Sequence, residues 1–271
     1  WETNTKGKGK NAMKTTVAIV GLGSRGRVTY APIAKQYPDL MEITALADIN
    51  PACVEEAAKE YNVPKERCFT SAEELLAQPK LADAIFICTQ DQDHVREALV
   101  ALEKGYHILM EKPISPSAED CNKLLEASRK YDRKIVVCHG LRYTPFFSKI
   151  KEIISEGTIG DVVTIQAIEN VGYWHQAPSF VRGNWRNSNT TSPMCLQKTC
   201  HDFDLYLWLA DKTPKRVSSM GDTYFFKEAC APEGAALRCM DGCKAKENCP
   251  FDAEKIYITN KRTGIAQGNT E

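Results

Sequence analysis

Four groups of residues in this 271-residue chain have types and spacings that suit chemistry. The first is the loop Gly21-Leu22-Gly23-Ser24-Arg25-Gly26, which follows the apolar run Val17–Val20 and opens a helical segment from Arg27 to Tyr37. In that setting the first glycine permits a tight turn, the second lets the backbone approach a pyrophosphate, and the third lets helix pack on strand. The helix start adds unpaired N–H groups and partial positive charge for the phosphates. Asp48 ends the next apolar run, where a carboxylate accepts from both ribose hydroxyls and repels a 2′-phosphate, which favours NAD over NADP.

The second group consists of polar clusters that follow later apolar runs: Thr89-Gln90-Asp91-Gln92-Asp93-His94, Glu111-Lys112-Pro113 and Gly140-Leu141-Arg142-Tyr143. Ligands of open parallel sheets bind beyond the carboxyl ends of the strands. There, Lys112 could hydrogen-bond a substrate hydroxyl and stabilise the alkoxide that precedes hydride loss. The plainer reading is a Glu111–Lys112 surface ion pair, which contributes little. His94 suits a capping role or the cofactor site equally. A third group lies on a helix over 195–209, where Gln197, His201, Asp204 and Trp208 fall on one stripe and Lys198 flanks His201. His201 is a candidate general base, because imidazole titrates near neutral pH. Upstream, Tyr173, Trp174 and Trp185 offer flat faces and Arg182 and Arg186 offer donors, a combination that suits a sugar; an irregular connector with surface arginines is the alternative. The fourth group is Cys230, Cys239, Cys243 and Cys249, which fit a structural zinc site with no open position, free thiols or disulfides.

The elements that must position these groups follow from hydrophobic period. Val17–Val20, Ile43–Ala47, Ala84–Cys88, His107–Met110 and Ile135–Cys138 lack polar alternation, as strands buried on both faces do. Helical patterns separate them, with Val95, Ala98, Leu99 and Leu102 on one face and Cys121, Leu124 and Leu125 on another; Ser117 and Asp120 approximate a capping box. Strand–helix alternation predicts an α/β doubly wound parallel sheet over 13–140. Over 141–271 the texture is α+β: a helix through Phe147, Ile150 and Ile154, a strand at 162–168, a polar loop at 172–193, the 195–209 helix, a strand near 216–220 and a cysteine-rich insertion at 227–251. Residues 1–12 are polar, basic and aperiodic, and are read as a leader outside the fold.

Thirty-five Lys and Arg balance thirty-five Asp and Glu, so the formal net charge is zero and nothing draws the chain to nucleic acid. No apolar stretch is long enough for a membrane-spanning helix. The other seven cysteines are scattered singly, as expected in a reducing cytoplasm.

Together, the glycine loop, Thr89–His94, Glu111-Lys112-Pro113, Arg142-Tyr143-x-Pro145 and His201-x-x-Asp204-x-x-x-Trp208 resemble the Gfo/Idh/MocA family of sugar and cyclitol oxidoreductases. The resemblance runs from Met13 to about Met220. It implies a Rossmann domain, then a domain built on a large open, mainly antiparallel sheet that pairs in homodimers or homotetramers. It implies that Lys112 and His201 are catalytic, with the nicotinamide between them, and that Trp185 and Arg186 approach cofactor or substrate. Gly21, Gly23, Ser24, Arg25, Gly26, Asp48, Thr89, Gln90, His94, Glu111, Lys112 and Arg142 are then expected to bind NAD. Lys112, Tyr173, Trp185, Arg186, Lys198 and His201 are expected to bind a carbohydrate. The sequence departs from the family pattern where Gln197 replaces an Asp four residues before the histidine, so Lys198 is expected to join the catalytic group. Relatives also continue beyond the point where this chain ends, so the second domain is expected to be incomplete. The expected activity is hydride transfer between NAD and a hydroxyl of a sugar, cyclitol or glycoside. The rivals are an NAD-dependent glycosidase working by transient oxidation and elimination, and a non-catalytic NAD sensor.

Overall fold

Runs of small and β-branched residues with no polar face have nothing to offer water on either side, and here they form the middle of one parallel sheet. In the computed structural model, which describes residues 14–258, its strands are β1 (Thr15–Val20), β2 (Met41–Ala47), β3 (Cys68–Phe69), β4 (Ala84–Ile87), β5 (His107–Met110) and β6 (Ile135–Val137). The expectation for the leader lies outside the described residues. The strand order is β3-β2-β1-β4-β5-β6, and every neighbouring pair is parallel. The order reverses between β1 and β4, so the crevice for a ligand opens above the carboxyl ends of those two strands.

Successive residues of β1 face opposite sides of the sheet, as the two-residue period of a strand requires. Ala18 and Val20 join one core with Ile85, Ile87, Ile108 and Met110, covered by α3 (Ala72–Ala77), α4 (His94–Glu103) and α5 (Ala118–Tyr131). Val17 and Ile19 join the other with Ile43, Leu46 and residues of α2 (Pro51–Tyr61). The helices start where side chains satisfy their first N–H groups: Asn50 accepts from Ala52 N, Ser71 from Glu74 N and Ser117 from Asp120 N. The segment after the glycine loop differs from the regular helix expected over 27–37. It begins at Ser24, runs through a wide turn closed by Ala31 N–H to Gly26 O (2.9 Å), and becomes α1 only at Pro32–Gln36. Pro32 has no N–H to donate, which removes one bond that regular winding would have made.

The chain divides into two units between His139 and Gly140. The second contains α6 (Pro145–Ser155), α7 (Tyr173–Gln176), a wide turn over Ala177–Val181 and α8 (Met194–Ala210). Lys151 on α6 donates to the carbonyl oxygen of Trp208 on α8 (2.7 Å). The strands expected at 162–168 and near 216–220 are not formed; among the described residues this unit has no strand. Their β-branched residues suit a pleated surface, but a strand also needs a neighbour for its N–H and C=O groups, and neither segment has a ladder partner. Val163 is 89% exposed and Val217 68%. Among the described residues no helix is long and apolar enough to cross a membrane.

Tyr106, wholly buried between α4 and β5, accepts the Leu81 N–H at its hydroxyl (2.8 Å). Tyr106→Phe strips a part-buried N–H of its acceptor, so urea denaturation is expected to show a loss of about 0.5–1.5 kcal/mol with an unchanged slope.

Candidate functional site

The glycine loop is shaped by backbone crowding. Gly21 has φ +86°, and a Cβ there would sit 2.6 Å from the carbonyl of Cys88; a Cβ on Gly26 would sit 1.9 Å from the Gly21 oxygen. Only glycine lets the loop lie this close to the end of β4 while bringing the following helical turn down onto Ile19. Asp48, just past β2, accepts from Leu22 N (2.5 Å) with one oxygen and from Asn50 N (2.7 Å) with the other. A carboxylate has about four acceptor positions, so these two bonds fix its plane and leave capacity for a diol. A loop with no room for side chains, a helical start behind it and an oriented carboxylate fit a dinucleotide.

The carboxyl ends of β4 and β5 are joined through Glu111. It is 7% exposed, accepts from Lys112 N (3.0 Å) and from the Tyr30 hydroxyl, and pairs with Arg25 at 3.7 Å. Glu111, expected to bind cofactor, thus ties the glycine loop and the turn after it to the segment carrying Lys112. Burial, then hydrogen bonding with Cys138 and Glu111, drives the Tyr30 phenol far up from its usual range. Burial likewise raises the Cys88 thiol well above normal and pushes Cys138 to about 11, so neither is a thiolate nucleophile near neutral pH.

His94 is 1% exposed, with Nδ1 2.9 Å from Pro113 O and Nε2 3.0 Å from Thr89 O. Carbonyl oxygens only accept, so a neutral ring donates to one of them at a time. Either way His94 ties the end of β4 to the Lys112–Pro113 segment. Thr89 donates its hydroxyl to Glu97 (2.7 Å), whose carboxyl is pushed up to about 7 by burial, against the opposing effect of that hydrogen bond. Gln90 and Arg25 are exposed beside these groups.

In the second unit, α8 carries the expected stripe. Gln197 is 3% exposed, and His201 and Lys198 are half-buried. Arg142 makes a two-pronged pair with Asp204 (both contacts 2.5 Å) and lies 5.6 Å from the Trp208 ring. Its guanidinium, expected to reach cofactor, is thereby engaged within its own unit. Lys198 Nζ contacts His175 Nε2 and lies over the Phe180 ring, and Phe180 also packs against Trp185 (6.1 Å). Arg186 is exposed and donates to Gly183 O (3.0 Å); Tyr173 meets Phe251 edge-on at 5.7 Å. The side chain of Trp174 lies outside the described part.

The structure gives the zinc reading no support. Among the described residues no three His, Cys, Asp or Glu side chains converge to hold a metal. Cys230 is exposed, with its thiol 3.7 Å from Tyr224 O, and Cys239 Sγ accepts from Ala253 N (3.5 Å). The insertion is organised instead by Phe251, which packs on Phe225, Phe226 and Tyr173. Packed aromatic faces do here what a metal does in smaller loops.

Tyr30, Glu97, His175 and Phe180 escaped sequence reasoning. Each is an isolated residue whose importance comes from a contact, and no local spacing marks it.

The state of Glu97 has a measurable consequence. A carboxyl whose folded pKa is raised keeps its proton in the fold while the unfolded chain has lost it, so stability falls as pH rises from about 4.5 to about 7 and is flat above. Glu97→Gln is expected to abolish that slope, leaving the variant more stable than the parent at pH 8 by about 2–3 kcal/mol. Urea titrations at pH 5 and pH 8 read this directly; equal slopes in both proteins contradict it.

Comparison with known proteins agrees with this geometry. Residues 15–139 match the GFO_IDH_MocA model, described as "Oxidoreductase family, NAD-binding Rossmann fold", and residues 147–254 match the GFO/IDH/MocA C-terminal domain. YteT of Bacillus subtilis (strain 168), an oxidoreductase by name, is 28% identical over 244 residues, covering 87% of this chain and 56% of its own length. The inositol 2-dehydrogenase of Corynebacterium glutamicum (strain R) is 29% identical over 195 residues, covering 72% of this chain and 53% of that protein. The chain thus spans about half the length of the curated relatives it matches. Among solved structures, an oxidoreductase from Thermotoga maritima is 29% identical with a TM-score of 0.60, covering 72% of this chain and 60% of that one. The scyllo-inositol dehydrogenase of Lactobacillus casei with bound NAD(H) and scyllo-inositol is 23% identical, TM-score 0.61, over 73% of this chain and 56% of that one, a likeness of fold. With each of its two parts matched by the corresponding part of one family, the chain belongs to the Gfo/Idh/MocA oxidoreductases.

Proposed function

We propose that this chain takes part in NAD-dependent oxidation of a secondary hydroxyl on a carbohydrate-type substrate, a sugar, cyclitol or glycoside, and the reverse reduction. The observation that carries the reading is the oriented Asp48 carboxylate behind a loop that only glycines can form. The names of the relatives, inositol dehydrogenases among them, support the substrate class. The scattered cysteines suit a cytoplasmic setting.

Gly21, Gly23, Ser24, Arg25 and Gly26 would hold the pyrophosphate, with the ribose on Asp48 and the remaining contacts from Thr89, Gln90, Glu111 and Lys112, while His94 would hold the Thr89 and Pro113 segments in place. When bound, NAD supplies the acceptor for the hydride that the hydroxyl carbon gives up. The protein's part is the proton. The Lys112 ammonium donates to the reacting hydroxyl oxygen and lowers the cost of its negative charge. His201 takes the hydroxyl proton at a ring nitrogen, a step suited to imidazole near neutrality. Gln197 stands where the family pattern has an Asp four residues before the histidine, and Lys198 next to it supplies a second ammonium. Tyr173, Trp185 and Arg186 offer stacking faces and donors to the polyol. The homo-oligomer expected of the second domain would draw on segments 162–168 and 216–220, which form no strand within this chain. Their exposed β-branched residues support this, since such surfaces favour covering.

The test is turnover with a polyol panel that includes scyllo-inositol and glucose, followed by absorbance of the reduced nicotinamide. NADH should accumulate with at least one substrate, and Lys112→Met should lower kcat/KM by about 10²–10⁴; full activity in that variant ends the mechanism. In calorimetric titration NAD should bind more tightly than NADP, and Asp48→Ser should reduce that preference by about tenfold or more, because a charge-assisted bond and a repulsion are both removed.

A further inference from the structure

His175 belongs to a short helical turn that sequence reasoning passed over, yet its Nε2 contacts Lys198 Nζ. The same Nζ lies 5.8 Å from the centre of the Phe180 ring, and the rings of His175 and Phe180 meet edge-on at 6.3 Å. Trp185 backs Phe180, and His175, Phe180, Trp185 and Lys198 are all half-buried.

An ammonium only donates, so the imidazole nitrogen facing it is the acceptor. Two cations in contact repel, so the shared proton sits on the more basic amine and the ring is neutral. The π face of Phe180 attracts the same charge from a second direction. A lysine on its flexible stem is thereby held at two points before any ligand arrives, which lowers the entropy lost on binding. His175 takes one of the ammonium's three donors. The other titratable groups on the elements carrying the pair are Cys195, Cys200, His201, Asp202, Asp204 and Tyr206 on α8, Tyr173 on α7, and Arg182 and Arg186 after it. Asp204 is paired with Arg142, Arg182 donates to Phe251 O and Arg186 to Gly183 O. Burial and then Glu169 raise the Asp202 carboxyl.

We propose that His175 is a positioning residue: its neutral imidazole accepts from the Lys198 ammonium and holds that charge, over Phe180, for an oxygen of the bound polyol. The ligand half of this inference rests on the function proposed above; the anchor itself does not.

Two measurements on the full chain separate the halves. Isotope-edited NMR of His175 should show an unprotonated Nε2 and a titration below that of an ordinary histidine, and Lys198→Met should raise that midpoint by about one pH unit. With NAD and whichever polyol of the panel is oxidised, His175→Leu should raise KM about tenfold with a smaller effect on kcat. His175→Gln, whose amide oxygen accepts the same bond without titrating, should restore most of the loss. An identical His175 midpoint with and without Lys198, or an unchanged KM in His175→Leu, overturns the proposal. A shifted midpoint in a protein that oxidises no polyol establishes the anchor and overturns the substrate assignment.

Discussion

Two carbonyl groups leave no space at the front edge of the sheet, and the rest of the first unit depends on that crowding. The Gly21 oxygen occupies the place of a Cβ on Gly26, and the Cys88 carbonyl occupies the place of a Cβ on Gly21. The close approach sets the loop between the ends of β1 and β4, where the strand order reverses, and aims the following turn at the crevice. Asp48 is drawn into the same arrangement through Leu22 N, so the group expected to read the ribose is positioned by the loop expected to hold the phosphates. Binding and discrimination between dinucleotides therefore share one piece of backbone.

Glu111 extends that geometry to the chemistry. A nearly buried carboxylate is costly unless its oxygens are satisfied, and here a phenol, a backbone N–H and a guanidinium satisfy it. The same contacts link Tyr30 and Arg25 to the residue next to Lys112. His94 adds a second tie, between Thr89 and Pro113. Lys112 is thus framed by fixed neighbours on both sides of its own segment, as a group that must meet a reacting oxygen requires. In the second unit the Arg142–Asp204 pair and the Lys198–His175 contact set α8 in a comparable way.

The first unit was readable because its signals are local. Ala18, Ile19 and Val20 have neighbours that are apolar on both faces, and a glycine loop between strand and helix has few other uses. Ser117 caps its helix as its spacing to Asp120 foretold. What could not be read depends on partners distant in sequence. Val162–Ile168 has strand composition but no neighbour to pair with. The widened turn after Gly26 follows from a missing N–H at Pro32 and the packing of Gly26, both invisible to helical period. The spacing of the insertion's cysteines suggests a shared metal, but among the described residues no three such side chains converge, and Phe251 with its aromatic neighbours packs the loop. Glu97 and His175 matter through single contacts with Thr89 and Lys198, which spacing cannot announce.

The central claim is that a dinucleotide lies across the carboxyl ends of β1, β2 and β4, held by the loop at 21–26. Hydrogen exchange read residue by residue, with and without NAD, tests it most directly. The account predicts slowed exchange concentrated at amides of 21–27, 48–50 and 88–94, with little change on the opposite edge of the sheet. Unaltered exchange across those segments at saturating NAD, or protection that appears only elsewhere, contradicts it.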